Sequence, residues 1–171
     1  ALAWATDKPL IGVNHLEGHV FANFLADSEL KPPFMALVVS GGHTALLKVT
    51  GYNSFELLGQ TRDDAAGEAF DKIINYLHNQ QQAGREVNRS DVAASFQRAV
   101  VDALVKEAVH AMQHTGYNKI VLAGGVSANK TLQNTLAKAM EEIGAQLVHP
   151  TPILCTDNAV MTVSYTHLRA H

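Results

Sequence analysis

Two histidines four residues apart, His15 and His19, are the residues of this chain best suited to chemistry. On an α-helix that spacing puts both side chains on one face, one turn apart, so both imidazoles can reach one metal ion. Asn14 is a favourable N-cap residue, and the apolar residues after His19 continue a helical stripe. The spacing therefore predicts a helix that is capped by Asn14 and presents a metal-binding pair.

Spacing alone carries little weight, because the chain has nine histidines and repeats the same gap at His110/His114 and His167/His171. Most such pairs are solvated or structural, and we assign no role to the last pair. Asp157, expected near the start of the last helix, is an oxygen ligand that would complete a site of two histidines and one carboxylate, a set suited to non-haem iron or zinc. The alternative is that Asp157 is only a first-turn acid stabilised by the helix dipole.

The position of Glu17 bears on the class of site. In zinc peptidases of the His-Glu-x-x-His type, the glutamate directly follows the first histidine and acts as the general base. Here the acid lies two residues after His15, about 200° around a helix of 3.6 residues per turn, so it points away from an ion held by the pair. The pattern favours a binding site over a peptidase.

A first glycine turn is a candidate for binding an anion. It ends a predicted strand and comprises Val38, Val39, Ser40, Gly41 and Gly42. Residues without side chains let a ligand approach backbone N–H groups closely. An ordinary hairpin turn is the alternative.

A second glycine turn, Gly124 and Gly125, lies between a predicted strand and a predicted helix. This arrangement directs free N–H groups and the positive end of the helix dipole towards an anion. Asn129, in the first helical turn, could bond a base or a ribose. The segment lacks the Walker lysine and the third glycine of a dinucleotide motif, and a structural turn is the alternative.

Three acids, Asp64, Glu68 and Asp71, fall at i, i+4 and i+7 of a predicted helix and share one face. Such a stripe is usually only solvated. If it faced a nucleotide, it could bond ribose hydroxyls or hold a cation.

Hydrophobic patterns predict the elements that hold these residues. Apolar runs bounded by turn residues predict strands over 9–13, 34–39, 44–49, 55–58, 119–123 and 145–148, of which the second and third form a β-hairpin. Helical spacing predicts a helix end over 1–5 and helices over 63–81, 91–114, 127–143 and 156–163, besides the histidine helix. Thr156 is the expected N-cap of the last of these helices. The buried face of the longest helix is expected to be Val92, Phe96, Val100, Leu104, Ala108 and Met112. That of the helix over 63–81 is expected to be Ala66, Phe70, Ile73, Ile74 and Leu77. Strands that alternate with helices in the second half predict an α/β sheet.

The composition limits the class of protein. With 171 residues, 47% hydrophobic and 17% charged, the chain suits one globular domain or two small ones. Its net charge of −3 favours neither nucleic-acid nor membrane binding by itself. Cys155 is the only cysteine, which excludes an internal disulfide and fits a reducing cytoplasm. No apolar run approaches the roughly 20 residues of a membrane span.

Five motifs in the same order along the chain resemble one family. They are His-Leu-Glu-Gly-His at 15–19, Leu-Val-Val-Ser-Gly-Gly-His-Thr at 37–44, Asp-Asp-Ala-Ala-Gly-Glu-Ala-Phe-Asp-Lys at 63–72, Ala-Gly-Gly-Val-Ser-Ala-Asn at 123–129 and Thr-Asp-Asn-Ala at 156–159. The family is the bacterial tRNA adenosine threonylcarbamoyltransferase subunit, TsaD, once labelled a glycoprotease. The match covers nearly all of residues 1–163. The histidine after Gly42 resembles the pattern of the family's bacterial branch rather than that of its archaeal branch.

The resemblance implies a partial actin-like α/β fold, of the kind shared by sugar kinases and heat-shock chaperones. It also implies transfer of threonylcarbamoyl from its adenylate to N6 of the adenosine 3′ of certain tRNA anticodons. The implied metal ligands are His15, His19 and Asp157, with Fe(II) the expected ion and zinc the alternative.

The implied adenylate-binding residues are Val38, Val39, Ser40, Gly41, Gly42, Asp71 and Asn129, and Gly124 and Gly125 would form a nucleotide loop. The implied partners are tRNA, threonylcarbamoyl-AMP, a paralogous actin-like subunit and a P-loop ATPase subunit, in the cytoplasm and without a membrane.

The chain departs from the family pattern in three places. It lacks the family's N-terminal part, and after Lys72 it lacks the glycine-rich segments that the family has there. Residues 164–171 do not continue the last helix as the family does, so we expect a non-native tail. We therefore expect 1–163 to be an incomplete actin-like unit with parts of both lobes, inactive when made alone. The alternatives are a non-catalytic scaffold paralogue, which would lack the metal histidines, and a metallopeptidase, disfavoured by Glu17.

Overall fold

One fully buried strand lies at the centre of the fold. The computed structural model describes residues 2–169. In it the predicted strand over 34–39 forms with all six residues buried. The strands of the described residues are β1 Phe34–Val39, β2 Thr44–Gly51, β3 Ser54–Gln60, β4 Lys119–Ala123 and β5 Gln146–Val148. They form one sheet in the order β3-β2-β1-β4-β5.

The sheet is mixed. β1 pairs antiparallel with β2, which confirms the predicted hairpin. β2 also pairs antiparallel with β3. β4 pairs parallel with β1 and with β5, because helices connect these strands and return the chain to the same end of the sheet. The predicted α/β sheet is therefore confirmed.

Helices cover both faces of the sheet. They are α1 Leu2–Ala5, α2 His15–Phe21, α3 Asn23–Ala26, α4 Ala66–Gln82, α5 Arg89–Thr115, α6 Lys130–Glu142, α7 Pro152–Cys155 and α8 Ala159–Arg169, with a 3-10 turn at Gly125–Ala128. Since side chains alternate across a strand, odd-numbered residues of β1 pack with α5 and α6 on one face. Even-numbered residues pack with Val20 of α2 on the other face. No helix of the described residues is long and apolar enough to cross a membrane.

The predicted strand over 9–13 was wrong. These residues form no strand or helix, and Leu10 and Ile11 are 84% and 73% exposed. No strand among the described residues pairs with this segment, so its backbone gains no ladder hydrogen bonds.

Three predicted helix starts were too early, since each of these helices begins three residues later than predicted. α4 begins at Ala66, whose N–H donates to the distant Thr44 Oγ1 at 2.9 Å. α6 begins at Lys130 after the 3-10 turn, and α8 begins at Ala159. Asn158, and not Thr156, caps α8 by accepting from the Met161 N–H at 2.9 Å.

The buried faces of the two long helices differ from prediction in detail. On α5 the buried residues are Val101, Val105, Ala108 and Met112, so the predicted Val100 and Leu104 lie half-buried beside that face. On α4, Leu77 is buried as predicted, but Ile74 is 57% exposed. Packing of two helices fixes the rotation of each more finely than an apolar pattern does.

The last helix continues through Arg169, so the expectation that residues after 163 leave it was wrong for 164–169. Ser164 and Tyr165 are buried against α2, where Ser164 Oγ donates to Phe21 O at 3.1 Å. His171 lies outside the described residues, as does Ala1. The non-native origin of the tail and the division into lobes stay predictions.

Candidate metal centre

The side chains of His15, His19 and Asp157 converge although they are far apart in sequence. His19 Nε2 lies 3.1 Å from Asp157 Oδ1, and His15 Nε2 lies 3.5 Å from the same oxygen. One ligand atom from each residue lies within 4.8 Å of the other two. Among the described residues this is the only group of three or more metal-ligating side chains with such geometry.

Local sequence features position the histidines. Asn14 caps α2 as predicted, since its Oδ1 accepts from the N–H groups of Leu16 at 3.0 Å and Glu17 at 3.2 Å. The helix begins at His15, directly after this cap, so the two imidazoles lie on successive turns with ring centroids 4.6 Å apart.

Close packing of α2 and α8 brings Asp157 to the histidines. A Cβ on Gly18 would lie 3.4 Å from Met161 Cε, an ordinary van der Waals distance, so α8 packs directly against α2 at Gly18. Asp157 precedes the start of α8 by two residues, and His19 directly follows Gly18 in α2. The packing of the two helices therefore places Asp157 beside His19.

His19 has the features of a metal ligand. Its side chain is 1% exposed, and neither ring nitrogen has a hydrogen-bond partner among the described residues. The Asp157 oxygen is within 3.1 Å of Nε2, but the direction is not that of a hydrogen bond. Burial, and next the charge of His15, lower the pKa of His19 despite the opposing effect of Asp157. A buried neutral imidazole with an unused lone pair fits a cation, because leaving buried polar atoms unpaired is costly.

The other two ligands face solvent. The side chain of His15 is 48% exposed and that of Asp157 is 77% exposed. An ion held by these three atoms would keep coordination positions open on that side. Two imidazoles and one carboxylate with open positions suit Fe(II) or zinc. The residues present therefore fit a divalent transition metal.

Both glycine turns open onto a cleft that is lined by His19 and Asp157. The cleft has a volume of about 350 Å³. It is lined by His19, Ser40, Gly41, Gly125, Thr156 and Asp157. A larger depression of about 530 Å³ lies between α4 and α5, lined by residues such as Leu77 and Arg85. It contains none of the three converging side chains, so we take the smaller cleft as the candidate site because of the residues that line it and not because of its volume.

The first glycine turn is held from both ends. Ser40 N–H donates to His43 O at 2.7 Å, and His43 N–H donates to Ser40 Oγ at 3.1 Å. The N–H groups of Gly67 and Glu68, at the start of α4, donate to Ser40 O and Gly41 O at 3.2 and 3.1 Å. Gly41 and Gly42 have no atom near their missing Cβ positions, so a ligand can approach their backbone.

Two other glycines hold the turns together by close contact. Gly124 has φ +88°, and a Cβ there would lie 2.5 Å from Val39 O. A Cβ on Gly67 would lie 2.6 Å from Gly41 Cα. Spacing alone assigns Gly67 no role, although its place in the third motif was a signal.

Not every predicted binding residue lines the cleft. Val38 and Val39 are fully buried, so only their backbone is near the turn. Asn129 caps α6, where its Oδ1 accepts from Leu132 N–H at 3.1 Å and its Nδ2 donates to Gln97 at 3.0 Å. Asp71 is exposed on α4 and is not among the lining residues. Their roles in binding stay predictions.

The predicted stripe of three acids is not one helix face. Asp64 precedes α4, because the helix begins at Ala66. Lys72 pairs with Asp64 and lies 3.5 Å from Glu68, so part of the negative charge is compensated within the chain. Thr156, which the sequence suggested only as a cap, lines the cleft beside Asp157.

The architecture belongs to a known class. Full-length HypF in its phosphate- and nucleotide-bound form superposes with a TM-score of 0.71 at 14% identity, over 98% of this chain and 37% of that one. The ROK hexokinase from Thermus thermophilus superposes with a TM-score of 0.62 at 15% identity, over 99% of this chain and 71% of that one. Both have the actin-like fold. This chain therefore has an actin-like α/β fold with a cleft at which metal-ligating residues converge.

Sequence comparison identifies the family within that class. The family model of TsaD, tRNA N6-adenosine threonylcarbamoyltransferase, matches residues 1–90 and 76–164. The chain belongs to the TsaD family. The enzyme of that name from Clostridium botulinum (strain 657 / Type Ba4) is 43% identical over 209 residues, covering 94% of this chain and 62% of the relative. That of Clostridium perfringens (strain SM101 / Type A) is 40% identical with the same coverage.

The chain spans about three fifths of the length of these curated relatives, since 62% of each is covered. The matched stretch is 209 residues long, whereas the whole chain has 171. The relatives therefore contain residues inside the matched stretch that have no counterpart here.

Proposed function

We propose that this chain is part of an enzyme that transfers the threonylcarbamoyl group from threonylcarbamoyl-AMP to N6 of the adenosine 3′ of the anticodon in tRNAs. Membership of the TsaD family gives the reaction class. For this chain the proposal rests on one cleft, which is lined by both glycine turns and by His19. The imidazole of His19 is buried and has no hydrogen-bond partner among the described residues.

The residues of the cleft suit this chemistry. An amine attacks a carbamoyl carbonyl and AMP leaves, so the reaction needs no covalent nucleophile on the protein; its needs are orientation of both reactants and compensation of negative charge. His15, His19 and Asp157 would hold one divalent ion, Fe(II) or zinc, which when bound supplies a Lewis acid. The backbone of Gly41 and of Gly125 borders the same space and can receive the phosphate.

Two other functions are disfavoured by particular residues. A scaffold paralogue would have no use for a buried imidazole that lacks a hydrogen-bond partner beside a carboxylate. A metallopeptidase needs a general base at the ion, and Glu17 is neither in the converging group nor among the residues that line the cleft.

The remaining expectations belong to the same proposal. The partners would be tRNA, a paralogous actin-like subunit and a P-loop ATPase subunit, in the cytoplasm. The missing counterparts within the matched stretch support an internally shortened chain. Because the chain spans 62% of the length of its curated relative, we expect little or no turnover by this chain alone.

Metal analysis of the purified 171-residue chain tests the proposal. After anaerobic loading with Fe(II) and desalting, we expect one ion per chain and metal-dependent binding of threonylcarbamoyl-AMP. The substitution H19A should abolish both, whereas H110A, a histidine exposed on α5, should change neither. A chain that binds the adenylate equally well without metal, or keeps its ion in H19A, would contradict the assignment.

A further inference from the structure

We propose that His43 is a further ligand-binding residue of this site, whose imidazole donates a hydrogen bond to a phosphate oxygen of the bound adenylate. The inference rests on the proposed function, because it takes the ligand to be a nucleoside monophosphate. His43 directly follows the two glycines of the first turn, and neither the metal group nor the binding residues considered above include it.

The backbone of His43 is fixed, and its ring lies beside the metal ligands. Both backbone hydrogen bonds to Ser40, at 2.7 and 3.1 Å, hold the residue at the base of the turn. The ring centroid lies 6.4 Å from that of His15, at an interplanar angle of 54°. The ring therefore lies beside His15, one of the three converging residues, although His43 is not among the residues that line the cleft.

His43 is not one of the three side chains that converge at the candidate metal site. It is outside the group whose ligand atoms lie within 4.8 Å of one another. A molecule that binds the first glycine turn and extends towards His15 would come within reach of this ring.

The same turn supplies backbone donors for that molecule. The N–H groups of Gly41 and Gly42 make no hydrogen bond within residues 2–169, and Gly41 lines the cleft. A phosphate placed against these donors would have the His43 ring at its side. Phosphate oxygens accept strong hydrogen bonds from such donors.

The role of His43 does not require a particular protonation state. A neutral imidazole carries one N–H and a protonated one carries two, so a donor is present in either form. The ring is exposed, so it can turn its N–H to the ligand without leaving buried groups unpaired. Removal of one hydrogen bond to a charged group should weaken binding roughly tenfold.

Binding of AMP and of adenosine to the metal-loaded chain, measured by titration calorimetry, tests the inference. We expect H43A to weaken AMP binding roughly tenfold and to leave adenosine binding and metal content unchanged. H43Q, which keeps an N–H donor, should restore most of the affinity for AMP. H110A is the matched control, because it removes an exposed imidazole from α5.

Each other outcome refutes a defined part of the reasoning. If H43A binds AMP as well as H110A does, His43 has no role in binding. Equal loss of AMP and adenosine binding would show that the residue does not recognise phosphate, and loss of the ion would show that it supports the metal site instead. If the unsubstituted chain binds metal but not AMP, the nucleotide site of the proposed function fails, and this inference with it.

Discussion

Replacement of Gly124 by alanine tests how the two glycine turns are held together. The residue has φ +88°, which costs an L-residue about 1–2 kcal/mol. The added Cβ would lie 2.5 Å from Val39 O and 2.8 Å from Val39 C. Both atoms belong to the backbone of β1, so the strand end must move. Overpacking of this kind costs about 1–3 kcal/mol, and G124A should therefore lower the free energy of unfolding by roughly 2–5 kcal/mol.

The neighbouring glycine provides the control. Gly125 has no atom within 4 Å of the position of an added Cβ, and its φ is not in the positive region. G125A should therefore change the free energy of unfolding by no more than about 0.5 kcal/mol. Because Gly125 lines the cleft, its new methyl group should instead weaken AMP binding.

Urea unfolding followed by far-UV circular dichroism measures both variants. We expect a lower midpoint for G124A with an unchanged slope, since the unfolded surface is the same. A domain of this size loses about 2–4 °C in Tm per kcal/mol, so the expected fall is roughly 4–20 °C. Equal stability of the two variants, or greater loss in G125A, would refute the close contact between Gly124 and β1.

Three further predictions concern the site and the last helix. D157A removes a metal ligand and should lower Fe(II) affinity by more than about 100-fold, as measured by competition with a chelator, because loss of an outer partner alone costs 10–100-fold. In the metal-free chain, the lowered pKa of His19 means that the unfolded state binds a proton more readily than the folded state. Stability should therefore fall as pH drops below 6.5, and H19N should show a shallower fall in urea titrations across pH. S164A removes the hydrogen bond to Phe21 O and should cost about 1 kcal/mol by thermal unfolding, whereas an unchanged Tm would show that this contact adds nothing.

Local patterns predicted much of this fold correctly. The helix cap at Asn14 and the hairpin around Gly41 depend on residues close in sequence, and both are confirmed. The strand over 9–13 was wrong, because an apolar run forms a strand only when another strand pairs with it. The start of α4 was wrong because its cap is Thr44, which is 22 residues away in sequence.

In the site, too, some features follow from residue types and local spacing, and others depend on tertiary packing. Residue types and spacing alone selected His15, His19 and Asp157 as candidate ligands and the glycine turns as candidate anion sites. The sequence did not predict the contact of Gly67 with Gly41, because that contact depends on how α4 docks on the hairpin. The sequence did not predict that Asn129 caps α6, and its role in binding a ligand stays a prediction.

The sequence by itself determined the family, the order of the elements and the chemical types available for a site, because these follow from local spacing and from motifs. Only the tertiary structure decided that His19 is buried without a partner and that Asp157 lies 3.1 Å from it. The physical reason is packing: the approach of α8 to α2 fixes that distance, and no local pattern encodes how closely two helices pack.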